Sequence, residues 1–187
     1  YLYESLTYRP IPYVSNMLID GYFQSEKYWK KNENKILELF KIDENTLEYL
    51  KYKYEDIINS DNTCSIHVRR GDFLRIDFYN KLDMNNYYNK AIETIGLDKQ
   101  FVVFSDDIEW CKENFKHINA TFIKEKLDFL DLYLISLCKN NITSNSTFSW
   151  WASYLNTNTN TKIITPNTWF LHTHSNEDIV PENWIKI

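Results

Sequence analysis

Thr63-Cys-Ser-Ile-His-Val-Arg-Arg-Gly-Asp-Phe73 decides how the rest of this sequence is read. The β-branched residues Ile66 and Val68 lead directly into Arg69, Arg70, a glycine and an acid. Such a run, followed by charge and glycine, predicts a strand over 64–68 whose carboxyl end opens into a loop. The chain has four arginines in 187 residues, and three of them, Arg69, Arg70 and Arg75, fall within seven positions here. Elsewhere it meets its need for cations almost entirely with lysine. A planar guanidinium fork can bind two oxygens of one phosphate, which a lysine point charge cannot do. The cluster therefore predicts a local phosphate site, against the plainer reading of a surface turn with scattered charge.

Strand and helix signals alternate beyond this stretch. Residues 1–20, punctuated by Pro10 and Pro12, predict loop and strand edge. Apolar spacing at Trp29, Ile36, Leu37 and Phe40 predicts a helix over 26–40, and Leu47, Leu50 and Tyr54 predict another over 44–58. A helix is expected over 85–95, closed by Gly96, and a wholly apolar strand over 101–104. Ser105 then reads as the N-cap of a helix reaching about 115, with Asp106 and Asp107 suited to its positive end. A strand over 121–123, a helix over 129–137, a strand end over 141–144, a helix over 147–155 and a strand over 162–165 follow. Apolar strands alternating with helices predict an α/β fold: a Rossmann-like parallel sheet with helices on both faces. Ligands of such sheets collect at the carboxyl ends of the strands. The expected division is a helical segment over 1–60 and the sheet domain over 61–187.

Composition narrows the function. Aromatics at 17% and apolar residues at 43% describe a packed globule and not a disordered segment. A net charge of −5 argues against broad nucleic-acid binding, so the arginines must act locally. With only Gly21, Gly71 and Gly96, neither a G-x-G-x-x-G turn nor a Walker loop can be built. Cys64, Cys111 and Cys138 are widely spaced and embedded in apolar sequence, which predicts buried, reduced thiols in a cytoplasmic setting. His67, His117, His172 and His174 lack zinc-site spacing, and the His172/His174 pair reads as a polar loop. No metal site is expected. The sequons at Asn119, Asn141 and Asn145 include two that fall in or beside a buried strand and a ligand loop. No apolar run approaches membrane-spanning length, so no stable membrane insertion by this segment is expected.

Thr143-Ser-Asn-Ser-Thr-Phe-Ser-Trp-Trp-Ala152 is the second informative stretch. Hydroxyls and an asparagine sit where a strand gives way to a helix, whose free N–H groups and dipole favour an anion. An ordinary Ser/Thr cap is the alternative. Opposite an arginine loop, a diphosphate cradle is the better reading.

Taken together, His67-Val-Arg-Arg-Gly-Asp72, Phe104-Ser-Asp-Asp107 with Trp110, and Asp131 through Cys138 to Trp151 resemble the α-1,2-fucosyltransferases of glycosyltransferase family 11. Ile164-Thr-Pro166, Trp169-Phe170 and Pro181-Glu-Asn-Trp184 extend the likeness to the end of the chain. The resemblance implies a GT-B enzyme that transfers fucose from GDP-fucose to the 2-hydroxyl of a galactose-containing glycan, with inversion and without metal or cofactor. It implies that Arg69 takes the diphosphate, opposed by Ser146 and Thr147, with Asn145 and Phe148 beside them. His67 and Asp131 would read guanine; a solvated helix acid is the alternative for Asp131. Arg70 and Asp106 would touch the donor, or Arg70 would brace the loop through Asp72 or Asp106. Asp72 and Asp77 are the candidate bases. The family's glycine-rich G-L-G-N-Q-like segment has no counterpart, so residues 1–60 would be a remnant or linker of the acceptor-side half. A non-catalytic GDP-sugar-binding module and a fucosyltransferase of another linkage are the competing readings.

Overall fold

The computed structural model describes residues 2–3, 7–171 and 177–187. Leu2–Tyr3 (β1) and Ile19–Asp20 (β2) form a short parallel pair apart from the main sheet. That sheet contains Thr63–Val68 (β3), Gln100–Ser105 (β4), Ala120–Ile123 (β5), Asn140–Ile142 (β6), Ile163–Thr165 (β7) and Ile185–Lys186 (β8). All its pairings are parallel and its order is β5-β4-β3-β6-β7-β8. The chain thus builds outward from β3 to one edge, then returns to lay β6 on the other side of β3. This is the doubly wound Rossmann-like order, and the reversal between β3 and β6 is its topological switch point.

The helices are Glu33–Leu39 (α1), Glu44–Lys53 (α2), Glu55–Ile58 (α3), Asn89–Ile95 (α4), Ile108–Asn114 (α5), Asp128–Leu137 (α6) and Thr147–Tyr154 (α7). Strand side chains alternate between faces, and the two cores follow that period. Cys64, Ile66, Val68, Phe101 and Val103 pack with Tyr87, Tyr88, Ile92, Cys111 and Phe115. Val102 and Phe104 face the other way, onto Leu50, Ile57, Leu134, Ile135 and Ala152. Leu50 and Ile57 tie α2 and α3 to that second face. All three cysteines are buried and free.

On the second face β3 presents Thr63, Ser65 and His67, all buried. Their polar atoms are matched. Asn141 Nδ2 donates to Ser65 Oγ at 2.7 Å and to the Ile135 carbonyl at 2.8 Å, and the Lys139 N–H donates to Thr63 Oγ1. Asn141 and Asn145 are 0% and 2% exposed, so neither sequon is accessible in the fold.

The structure shifts several boundaries. The helix expected over 26–40 breaks into single 3₁₀ turns, Glu26–Tyr28 and Lys30–Asn32, before α1. Between them Trp29 leaves helical geometry and stacks on Trp151, their ring centroids 5.2 Å apart. Packing outweighs propensity there. The helix expected over 44–58 is interrupted at Tyr54, whose hydroxyl bonds Glu125. The helix expected over 85–95 begins with a π turn, Met84–Tyr88, capped by a reciprocal Asp83–Asn86 box. Asp107, and not Ser105, caps α5; Ser105 Oγ accepts the Asp107 N–H at 2.9 Å. The sequence reading did not include β8. His172 and His174 lie outside the described residues. Among the described residues no helix is long and apolar enough to cross a membrane, and no group of three metal-binding side chains is present.

Candidate active site

The carboxyl ends of β3, β4 and β5 and the start of α7 surround a cleft of about 450 Å³. Two buried tyrosines of the 84–88 turn brace the floor beneath it. Tyr87 donates to the Thr143 carbonyl at 2.7 Å and the Ile164 carbonyl at 3.1 Å, while Tyr88 reaches the His67 carbonyl. The tyrosine hydroxyls thus bond strand-end carbonyls from a distant turn; the Ile164 carbonyl also accepts the Thr143 N–H at 2.8 Å.

His67 and Arg69 enter the cleft from β3 and its loop. The His67 ring shares a 3.0 Å hydrogen bond through Nδ1 with Ser144 Oγ and lies against Phe148, centroids 5.1 Å apart. Burial, with the Arg69 charge adding to it, lowers its pKa to about 3, so the imidazole is neutral. Its Nε2 edge is the ring position left for a ligand. Arg69 holds Asp72 at 2.8 Å and Asp106 at 3.2 Å, with Phe73 below the guanidinium. Phe73 in turn stacks on Tyr79, 3.9 Å between centroids and 6° between planes.

Arg70 is directed elsewhere. Its Nε–H donates to Asp107 at 3.1 Å and its guanidinium lies 4.0 Å over the Trp110 ring. Its backbone N–H donates to Asp106 Oδ1 at 2.9 Å. Arg70 thus joins the β3 loop to the start of α5 and does not line the cleft, the bracing role through Asp107 and not Asp72. Gly71 permits the contact, since a Cβ there would lie 2.6 Å from Asp106 Oδ2.

Ser146, Thr147 and Phe148 form the opposite wall. Ser146 is the N-cap of α7 and its side chain makes no cap bond, so the cap residue itself does not satisfy the first amides of the helix. Thr147 Oγ1 accepts from Gln24 Nε2 at 3.0 Å. Asn145 adjoins this wall but faces away: its amide donates to the Asn80 and Trp169 carbonyls at 2.8 and 2.9 Å. It anchors the segment that carries Tyr79.

Asp131 closes the far end. Its carboxylate accepts the Glu125 N–H at 3.1 Å, and burial raises its pKa to about 6. Asp72 is held by Arg69 but is itself outside the cleft lining. Asp77 is 94% exposed, paired with Lys81, and outside the cleft lining. Phe73, Tyr79, Lys124 and Asp128 also line the cleft and escaped the sequence reading. Lys124 and Asp128 flank the β5–α6 connection, and the carboxyl-end rule could have flagged them; no periodicity distinguishes Phe73 or Tyr79.

The arrangement offers a cation and a helix N-terminus on facing walls, with a neutral imidazole and a carboxylate deeper in. That suits a doubly charged phosphate with a hydrogen-bonding base. The family described as Glycosyl transferase family 11 matches residues 4–187. The O-antigen biosynthesis glycosyltransferase WbnK of Escherichia coli is 31% identical over 99% of this chain and 65% of its own length. An alpha-1,2-colitosyltransferase of Escherichia coli is 33% identical over 89% of the chain and 61% of its own length. Human galactoside alpha-(1,2)-fucosyltransferase 1 is 32% identical over 48% of the chain and 28% of its own length. The chain therefore spans less than two thirds of the length of these relatives. No solved structure matches it.

Proposed function

We propose, for a chain that belongs to glycosyltransferase family 11, that the cleft binds GDP-fucose and that the reaction is transfer of fucose to a galactose 2-hydroxyl. The observation that carries this reading is the facing of Arg69 and the Ser146–Thr147 helix start across the switch point, with His67 and Asp131 behind them. Arg69 and the α7 amides bind the diphosphate, and Ser146, Thr147 and Phe148 line it. His67 Nε2 and the Asp131 carboxylate read guanine, the carboxylate accepting from its N1–H and N2–H. Asp106 holds Arg69 in position, Arg70 acts through Asp107 and Trp110, and Asn145 acts through the Tyr79 segment.

In the reaction the acceptor oxygen attacks the anomeric carbon from the face opposite GDP, and the configuration inverts. The bond to the β-phosphate oxygen breaks and its electron pair leaves with GDP. Arg69 and the helix amides stabilise that charge, a role that fixed dipoles and cations can fill in place of a metal. The acceptor proton passes to a carboxylate. Asp72 is the better candidate because it is paired with Arg69, which lines the cleft, whereas Asp77 is directed to Lys81 in solvent. Residues 61–187 form the donor-binding half of a GT-B arrangement. Residues 1–60 form the approach from the acceptor side, tethered by Leu50 and Ile57.

Calorimetry with GDP, ADP and UDP tests the base assignment, and equal affinities would remove it. Turnover of GDP-fucose with lactose, read as fucosyl-lactose, tests the reaction. A second donor sugar is favoured by one comparison, the relative named as an alpha-1,2-colitosyltransferase. GDP-colitose in the same assay separates the two.

A further inference from the structure

The connection between β5 and α6 presents its side chains to two sides. Lys124, Asp128 and Asp131 line the cleft, whereas Glu125 does not. The Glu125 side chain is turned toward the end of α2 and is only 6% exposed. Lys53 Nζ donates to its Oε1 at 2.5 Å, the Tyr54 hydroxyl donates to the same oxygen, and the Tyr49 hydroxyl reaches Oε2 at 3.3 Å. Lys53 also lies 5.4 Å over the Tyr49 ring and 5.2 Å over the Tyr54 ring. A carboxylate this far withdrawn from water is costly unless it is paired and hydrogen-bonded, and here it is both. Through its backbone the same residue enters the site. The Glu125 N–H donates to Asp131 Oδ1 at 3.1 Å, and among the described residues this is the one hydrogen bond that Asp131 makes.

We infer that Glu125 is a positioning residue for base recognition: clamped by Tyr49, Lys53 and Tyr54, it fixes through its N–H the orientation in which Asp131 meets the base. The inference rests on the proposed reading of Asp131 as the guanine acceptor. Left to itself, an aspartate side chain turns about two torsions. To accept N1–H and N2–H together, its two oxygens must lie in the plane and register of the guanine edge. One backbone donor at Oδ1 sets that plane, and the clamp on the Glu125 side chain sets the donor. The end of α2 thereby takes part in donor recognition, although none of its residues lines the cleft.

The test measures, by calorimetry on the whole chain, affinities for GDP, UDP and inosine diphosphate, which keeps N1–H and lacks the 2-amino group. Working well above the Asp131 pKa of about 6 keeps that carboxylate ionised throughout. The parent is expected to prefer GDP to inosine diphosphate about ten-fold or more, the scale of a hydrogen bond to a charged group. Glu125→Gln and Lys53→Met are each expected to cut this preference about three-fold or more, the scale of a misaligned hydrogen bond, with UDP affinity little changed. Lys53→Arg, which keeps the cation, is expected to retain the preference. Should Glu125→Gln fail to fold, Lys53→Met decides alone, since that side chain is 44% exposed. A purely structural role would weaken all three nucleotides together and leave their ratios as in the parent, and that result overturns the inference. Preference lost in Asp131→Asn but kept by the clamp variants also overturns it, and leaves the guanine assignment intact. A parent that binds neither purine nucleotide, or shows no preference, or keeps its preference in Asp131→Asn, overturns the guanine assignment and the inference together.

Discussion

Arg69 and Asp106 leave the ends of neighbouring strands and meet in a 3.2 Å ion pair across the mouth of the cleft. Asp72 holds the same guanidinium at 2.8 Å, and Asp106 also accepts the Arg70 N–H. The guanidinium fork is thus pre-oriented by two carboxylates, one of which a diphosphate would displace under the proposed function. Exposed pairs of this kind are weak enough to exchange.

Replacing Arg69 with lysine keeps the charge and loses the fork. We expect donor affinity to fall by about 1.5–3 kcal/mol, the scale of a hydrogen bond to a charged group. Calorimetry with GDP measures it, and undiminished affinity would remove Arg69 from the phosphate site. Arg70→Lys is expected to act differently, lowering thermal stability through the lost Trp110 stack and Asp107 bond, by about 1–2 kcal/mol.

Gly71→Ala places a methyl group 2.6 Å from Asp106 Oδ2. The carboxylate must move, and it cannot then keep both Arg69 and the Arg70 N–H. A loss of up to about 1 kcal/mol in urea unfolding is expected, the scale of an exposed ion pair, with a weaker donor complex. A variant as stable as the parent would show that the loop relaxes without losing Asp106.

A buried histidine and a half-buried aspartate give opposite pH dependences. His67 has its pKa lowered from 6.5 to about 3, so the folded state binds fewer protons than the unfolded chain. Its contribution to stability is complete above about 6.5 and is lost as pH falls toward 3, by of order 3–5 kcal/mol. Asp131 has its pKa raised from 3.8 to about 6, so its contribution is complete below about 4 and is lost as pH rises through 6. Urea titrations of His67→Gln and Asp131→Asn separate them: the first should flatten the acid limb and the second should sharpen it. A shared pH profile for parent and variants would refute both assignments. If Asp131 reads guanine as a carboxylate, GDP binding near pH 6 should also release protons, visible as a buffer-dependent heat.

Asn145→Ala removes the side-chain donor to the Asn80 carbonyl and one of the donors to the Trp169 carbonyl, which keeps the Asn80 N–H at 3.0 Å. Stability should drop by about 1–3 kcal/mol, the cost of unpaired buried polar groups. Any weakening of GDP binding should come with it, through the displaced Phe73–Tyr79 stack. A variant of unchanged stability with lost GDP binding would return Asn145 to direct donor contact.

The sequence by itself determined the alternation of strands and helices, the parallel character of the sheet and the position of Arg69 at a strand end. These depend on local chemistry: β-branched runs, 3.6-residue spacing, and glycine or proline at breaks. It could not say that β6 returns beside β3, which brings His67 against Ser144 across 77 positions of chain. Only the family resemblance gave Arg69 the diphosphate, and it left Arg70 open between donor contact and a brace through Asp72 or Asp106. Adjacent residues of one type diverge because Asp107 and Trp110 capture one guanidinium while Asp72 and Asp106 hold the other. Asn145 looked like a ligand residue and proved to be a buried anchor, since its direction depends on carbonyls 65 and 24 positions away. Tertiary structure decided these matters because loop side chains take their directions from partners distant in sequence, and no pattern along the chain encodes those partners.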